Sequence, residues 1–301
     1  MSGVYVTTVT PFRENLELDE EGVATLVSFL VDQGVTYIVP LGTSGEFSSL
    51  TLAEKKRVIK ITLDHAGKAE VIPGVSSTSY KEVIELASYS GNLGVSSVLL
   101  VPPYYLRSRI EGFKRLISEV ISKCKVGVWV YNNPQQVGYE LTVRDMSELA
   151  SIDGVVGFKD ATHNLLAHKA LIEAVGKTKK VLGGLEEYGY FSMLMGSHGF
   201  TSSMANFLPA LPLRIYTSLV NHDFAEANRL ANLMLLYRLP MLRGSQPLMM
   251  HFAKIGLKKM GIIQSASVRP PLINLTEDER SEIDRTIEGI LHQLEKPVTT
   301  S

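Results

Sequence analysis

Lys159 stands at the end of the apolar run Val155–Phe158, in the stretch VVGFKDAT. A lysine there must reach water or lose its proton, because desolvating an isolated ammonium costs several kcal/mol, roughly, and pulls its pKa down. A neutral amine attacks a carbonyl to give a carbinolamine and then a Schiff base, whose protonated form withdraws electrons from the neighbouring carbon. That is aldol chemistry. Two quieter readings stay open: a side chain stretched to the rim, or an ion pair with adjacent Asp160. Tyr131 ends an earlier apolar run, VGVWVYNNP, and its hydroxyl could relay protons to a carbinolamine or be an ordinary half-buried phenol. The stretch GTSGE, residues 42–46, offers backbone N–H groups and the hydroxyls of Thr43 and Ser44 to a carboxylate or phosphate. It lacks the Gly-Lys-Ser/Thr of a nucleotide triphosphate loop, and as a Gly/Ser/Thr cluster it also reads as a turn.

These groups need a scaffold that brings distant segments together. Eight short apolar runs alternate with amphipathic helical stretches: VYVTTVTPF, YIVPLGTSGE, EVIPGVSS, SSVLLVPPYY, VGVWVYNNP, VVGFKDAT, KVLGGLEE and GFTSSMAN. Val23, Leu26, Val27 and Leu30 make one helical face that Gly34 stops, and Thr51 with Glu54 has the spacing of a capping box. Eightfold alternation without a Gly/Ser linker predicts a parallel (β/α)8 TIM barrel over residues 1–221. A doubly wound sheet would not need eight units. Residues 222–301 carry three helical patterns and no strand, a C-terminal three-helix extension whose Met and Leu content reads as core or subunit interface. In such a barrel the active site lies at the strands' carboxyl ends, where the polar residues are.

Composition narrows the function. The 301 residues are 45% hydrophobic and 20% charged with a formal net charge of -1, which suggests neither nucleic acid nor an anionic membrane as partner. Cys124 is the only cysteine, so no internal disulfide or thiolate metal cluster forms, and a reducing compartment fits. The start MSGVYVTTVT has no leader pattern, and glycines and prolines break the uncharged stretch from Ala87 to Leu106. A cytoplasmic protein without a membrane span is expected. The seven histidines show no metal spacing, and His163 and His168 read as surface residues. No dinucleotide fingerprint is present, so an enzyme without cofactor or metal is expected.

Taken in order, TPF at 10–12, GTSGEF at 42–47, PPYY at 102–105, YNNP at 131–134, GFKD at 157–160, GSHGF at 196–200 and RPPL at 269–272 resemble one family. It is the pyruvate-dependent lyase family of dihydrodipicolinate synthase, N-acetylneuraminate lyase and the 2-keto-3-deoxygluconate aldolases. The resemblance runs from about Val4 to Leu272. It implies that Lys159 forms the Schiff base, that Tyr131 relays protons, and that Thr43 and Ser44 hold the carboxylate of pyruvate, with Thr43 in the proton path. It also implies that Tyr105 reaches into a neighbouring subunit's site, that Gly184 and Thr201 line the pocket through backbone atoms, and that the assembly is a homotetramer.

Two departures bear on the second substrate. Gln136 stands where the synthase has an arginine for the semialdehyde carboxylate, and an amide does not replace a bidentate guanidinium. Glu186 and Glu187 stand where the neuraminate lyases bind substrate hydroxyls, though acids at a helix start are also favoured by the macrodipole. The expected activity is reversible cleavage of a 2-keto-3-deoxy sugar acid to pyruvate and a hydroxyaldehyde. The alternatives are dihydrodipicolinate synthase, a 2-keto-3-deoxy acid dehydratase, and an inactive barrel that only binds a keto acid.

Overall fold

A computed structural model of the chain describes residues 2–238 and 248–294. The eight apolar runs form eight parallel strands: β1 (Gly3–Thr7), β2 (Tyr37–Val39), β3 (Glu70–Val71), β4 (Ser97–Leu100), β5 (Gly127–Asn132), β6 (Val155–Asp160), β7 (Lys180–Gly183) and β8 (Gly199–Ser202). Their order is β3-β2-β1-β8-β7-β6-β5-β4. A parallel bridge from Gly74 to Leu99 joins the two ends of this sheet, so the chain closes into a (β/α)8 barrel.

The helices between the strands are α1 (Glu20–Asp32), α2 (Leu52–His65), α3 (Tyr80–Asn92) and α4 (Ile110–Cys124) in the first half. The second half adds α5 (Pro134–Val137), α6 (Val143–Ala150), α7 (Leu165–Val175), α8 (Gly189–Leu194) and α9 (Ala210–Val220). Local sequence accounts for several of their ends. Thr51 and Glu54 form the capping box of α2, and Gly34, with φ 83°, takes the left-handed turn after α1. After the barrel come α10 (Phe224–Arg238), α11 (Met249–Lys259) and α12 (Glu277–Leu294). Residues 239–247 and 295–301 of the expected extension lie outside the described residues. No helix among the described residues is long and apolar enough to cross a membrane.

Strand alternation divides the core in two. On β5, Val128 and Val130 join the large cluster between sheet and helices, whereas Trp129 and Tyr131 join a second cluster with Tyr5, Val39, Ile72, Leu99 and Leu182. That second cluster fills the barrel, with Tyr5 stacked on Tyr37 at 4.2 Å and edge-on to Trp129 at 5.6 Å. It forms an apolar floor below the carboxyl ends, and the polar residues of the next layer stand on it.

Candidate active site

Tyr131 and Lys159 are register partners on the adjacent strands β5 and β6 and so face the same side of the sheet. The Lys159 amine lies 3.9 Å from the centroid of the Tyr131 ring. Only 4% of Lys159 is exposed, and burial alone lowers its pKa from 10.5 to about 7. The ring face favours a cation, but desolvation outweighs that attraction. The amine is therefore largely unprotonated just above neutral pH.

Asp160 does not pair with Lys159, because the next residue along a strand points to the opposite face. Its carboxylate accepts from Asn132 Nδ2 at 2.8 Å and lies 2.8 Å from His168 Nδ1. His168 Nε2 in turn lies 2.8 Å from Ser192 Oγ and 2.9 Å from Ser197 Oγ. His168 is thus a buried residue of α7, contrary to the surface position expected, and with Asn132 it satisfies the buried carboxylate behind the sheet. His163 is exposed, as expected.

Around Lys159 a cleft is lined by Thr7, Thr43, Ser44, Tyr131, Asn133, Gln135, Gln136, Gly184, Leu185, Glu186, Glu187, Thr201, Ser203 and Met249. It brings together every singled-out residue except Tyr105. The Tyr131 hydroxyl accepts from Asn133 Nδ2 at 2.9 Å and shares a hydrogen bond with Thr43. Burial pushes this phenol up to about 12, partly offset by Thr43, so it holds its proton at neutral pH and can donate it. Ser44 Oγ lies 3.3 Å from Thr7 Oγ1. Thr201 donates from its side chain to the Gly184 carbonyl at 3.2 Å. Gly184 packs so tightly on β6 that a Cβ would lie 2.7 Å from the Asp160 carbonyl carbon.

Glu186 lines the cleft, but its carboxylate has other partners. It accepts from the hydroxyls of Ser202 and Ser203 and from the Met204 N–H at 3.0 Å. The side chain is buried and ties the exit of β8 to the loop after β7. Glu187 and Gln136 line the same cleft. Tyr105 is 91% exposed, in left-handed backbone with φ 70°, and beside it Leu106 is 78% exposed. Within one chain it takes no part in the cleft.

Sequence reasoning passed over Thr7, Asn133, Leu185, Ser203, Gln135 and Met249. The first four lie within runs already marked as strand ends, so position alone could have found them. Met249 comes from α11, and its Sδ accepts from Ser44 Oγ at 3.7 Å. Nothing in the local sequence points to that contact.

A parallel barrel with a buried, low-pKa lysine beside a tyrosine at its carboxyl mouth is equipped to form an imine with a carbonyl compound. Residues 1–290 match the Dihydrodipicolinate synthetase family, and the chain belongs to that family. The chain is 31% identical to the 4-hydroxy-tetrahydrodipicolinate synthase of Chloroherpeton thalassium, over 94% of this chain and 93% of that one. It is similar to the chloride-inhibited dihydrodipicolinate synthase of Acinetobacter baumannii solved with pyruvate, with 30% identity, a TM-score of 0.88, and 96% and 98% of the two chains covered. A prophage protein of the same family from E. coli K12, also solved with pyruvate, superposes with a TM-score of 0.91 at 25% identity, covering 97% and 99%.

Proposed function

We propose that Lys159 adds to the keto carbon of pyruvate while the hydroxyls of Thr43 and Ser44 hold its carboxylate. Tyr131, hydrogen-bonded to Thr43, protonates the departing hydroxyl of the carbinolamine and, as the phenolate, takes up the proton that the methyl carbon of the imine loses, ready to give it to the alkoxide formed on the aldehyde. The resulting imine loses a proton from the methyl carbon to give an enamine, which attacks an aldehyde; cleavage is the reverse. Gly184 and Thr201 line the cleft beside Lys159. Tyr105 completes the site of a second copy, in line with its exposure on this one. The observation that carries the reading is the buried Lys159 amine at the ring of Tyr131. Incubation with pyruvate and borohydride, followed by peptide mass analysis, is expected to place a reduced adduct on Lys159. No adduct, or one on another lysine, overturns the reading and favours a barrel that only binds a keto acid.

For the aldehyde, the names of the relatives support aspartate semialdehyde, the substrate of the synthase reaction. The cleft favours a second reading, cleavage of a 2-keto-3-deoxy sugar acid. Among the described residues lining it there is no arginine, Gln136 stands at the position in question, and Lys159 is the one basic side chain. A charge-assisted hydrogen bond to a second carboxylate contributes about 1.5–3 kcal/mol, roughly ten- to a hundredfold in kcat/KM. Steady-state rates with pyruvate and either aspartate semialdehyde or glyceraldehyde decide between them. A tenfold preference for the semialdehyde assigns the synthase reaction; the reverse preference assigns the sugar-acid reaction.

A further inference from the structure

Glu46 follows the Thr43–Ser44 pair after one intervening residue, Gly45, and is in left-handed backbone, with φ 52°. Its N–H closes the turn on the Thr43 carbonyl at 3.1 Å. Its carboxylate meets the Lys254 amine at 2.5 Å and accepts from the Arg269 N–H at 2.9 Å. The two charged side chains are 2% and 0% exposed, and 208 residues separate them. Lys254 also donates to the Ser267 carbonyl at 2.8 Å and lies 4.3 Å from the centroid of Phe12, a buried ring that the Arg269 guanidinium also approaches at 4.3 Å. The same helix, α11, carries Met249, the partner of Ser44.

A fully buried ion pair adds little net stability, because desolvating both charges offsets their attraction, and well-packed apolar residues often serve as well. A directional bond does something apolar packing does not: it fixes one backbone geometry at Glu46, a conformation unfavourable to a residue with a Cβ. We infer that Glu46 and Lys254 are positioning residues that hold the Thr43–Ser44 turn in its carboxylate-binding form, so that α11 is part of the pyruvate site. This rests on the imine reading above. Neither side chain touches substrate; both act through the turn.

The test is the rate of borohydride trapping at Lys159 as a function of pyruvate concentration, alongside thermal melting, in the wild type and in Glu46→Gln/Lys254→Met. The double variant removes both charges together and so leaves no unpaired buried ion. It is expected to stay folded while half-saturation rises about tenfold or more, with a much smaller change in the limiting rate, as displacement of a binding group by a fraction of an ångström implies. Unchanged half-saturation in a folded double variant overturns the inference. If that variant does not fold, Glu46→Gln alone decides, with a rise of about threefold or more expected and no rise counting against. A wild type that gives no adduct at Lys159 sinks the imine reading, and this inference with it. That result is separate from a wild type that traps pyruvate and a variant that traps it equally well.

Discussion

If Lys159 is held as a free amine by burial, then removing it should stabilise the fold while abolishing activity. The unfolded chain carries this lysine protonated up to about its ordinary value of 10.5, whereas the folded chain releases the proton near 7. Between those values the unfolded state binds one proton more, so stability rises with pH across the window. The contribution is fully present above 10.5, falls as pH drops toward the folded value near 7, and is constant below it. Lys159→Met keeps the volume and removes the titration. At about 1.4 kcal/mol per pH unit, its gain over the wild type is about 5 kcal/mol at pH 7 and below, about 3 at pH 8, and close to zero beyond pH 10.5. The assay is urea unfolding of both proteins at pH 7, 8, 9 and 10, at one protein concentration, with the difference taken at each pH so that other titrations cancel. A difference that does not shrink with rising pH, or a wild type more stable than the variant at pH 7, refutes the account of Lys159. Such a gain would mean that stability is given up at this residue for reactivity.

Tyr131→Phe is expected to slow formation of the trapped pyruvate adduct on Lys159 and to lower turnover by about 10²–10⁴, the usual effect of losing a positioned general acid–base group; full turnover removes Tyr131 from the proton path. His168→Leu strips Asp160 of a buried partner and should lower stability by about 3 kcal/mol in urea unfolding, with Asp160→Asn added to it recovering part of the loss. Turnover rising from pH 6 to pH 8 with a midpoint near the folded Lys159 value of about 7 is expected in buffered initial-rate assays, since only the free amine attacks; a flat profile would place the amine's titration elsewhere. Tyr105→Glu should give a smaller particle by light scattering together with loss of turnover, because Tyr105 and Leu106 are too exposed on one chain to act within it; a fully active monomer counts against a shared site.

What could be read in the sequence follows from how local each signal is. The eight strands were legible because short apolar runs alternate with amphipathic helical stretches, and the site was legible because polar residues gather at the carboxyl ends of those runs, which the fold puts on one face. Thr51 with Glu54 was legible because both halves of a capping box lie within one turn. His168 was misread although its signal was present. With Leu171, Ile172 and Val175 it lies at i, i+3, i+4 and i+7 on the buried face of α7, and periodicity alone would have placed it inside. Glu186 had a recognisable position, but its partners Ser202, Ser203 and Met204 come from the next strand's exit. No pattern in the sequence pairs those segments. The contacts of α11 with the Thr43–Ser44 turn span more than 200 residues and depend on closure of the barrel. A reading that treats the last helices as an appendage cannot anticipate them.

The placement of Lys159 turns on a single residue of register. The β5–β6 ladder runs Val128 to Val155 and then Trp129 to Gly157, so Val156 has no partner of its own. Without that skipped residue, Lys159 would stand level with Asn132, which faces the helices and bonds Asp160 and Leu141 there. A shift of one residue turns every side chain beyond it to the other face. The skip therefore brings Lys159 level with Tyr131 inside the barrel and Asp160 level with Asn132 outside it. Gly157 makes the arrangement possible: a Cβ there would lie 2.6 Å from the Trp129 ring and 2.5 Å from the Lys180 carbonyl oxygen. The same step thus produces two pairs, one reactive and one structural. The outward bond between Asn132 and Asp160 locks the register that holds the inward pair together.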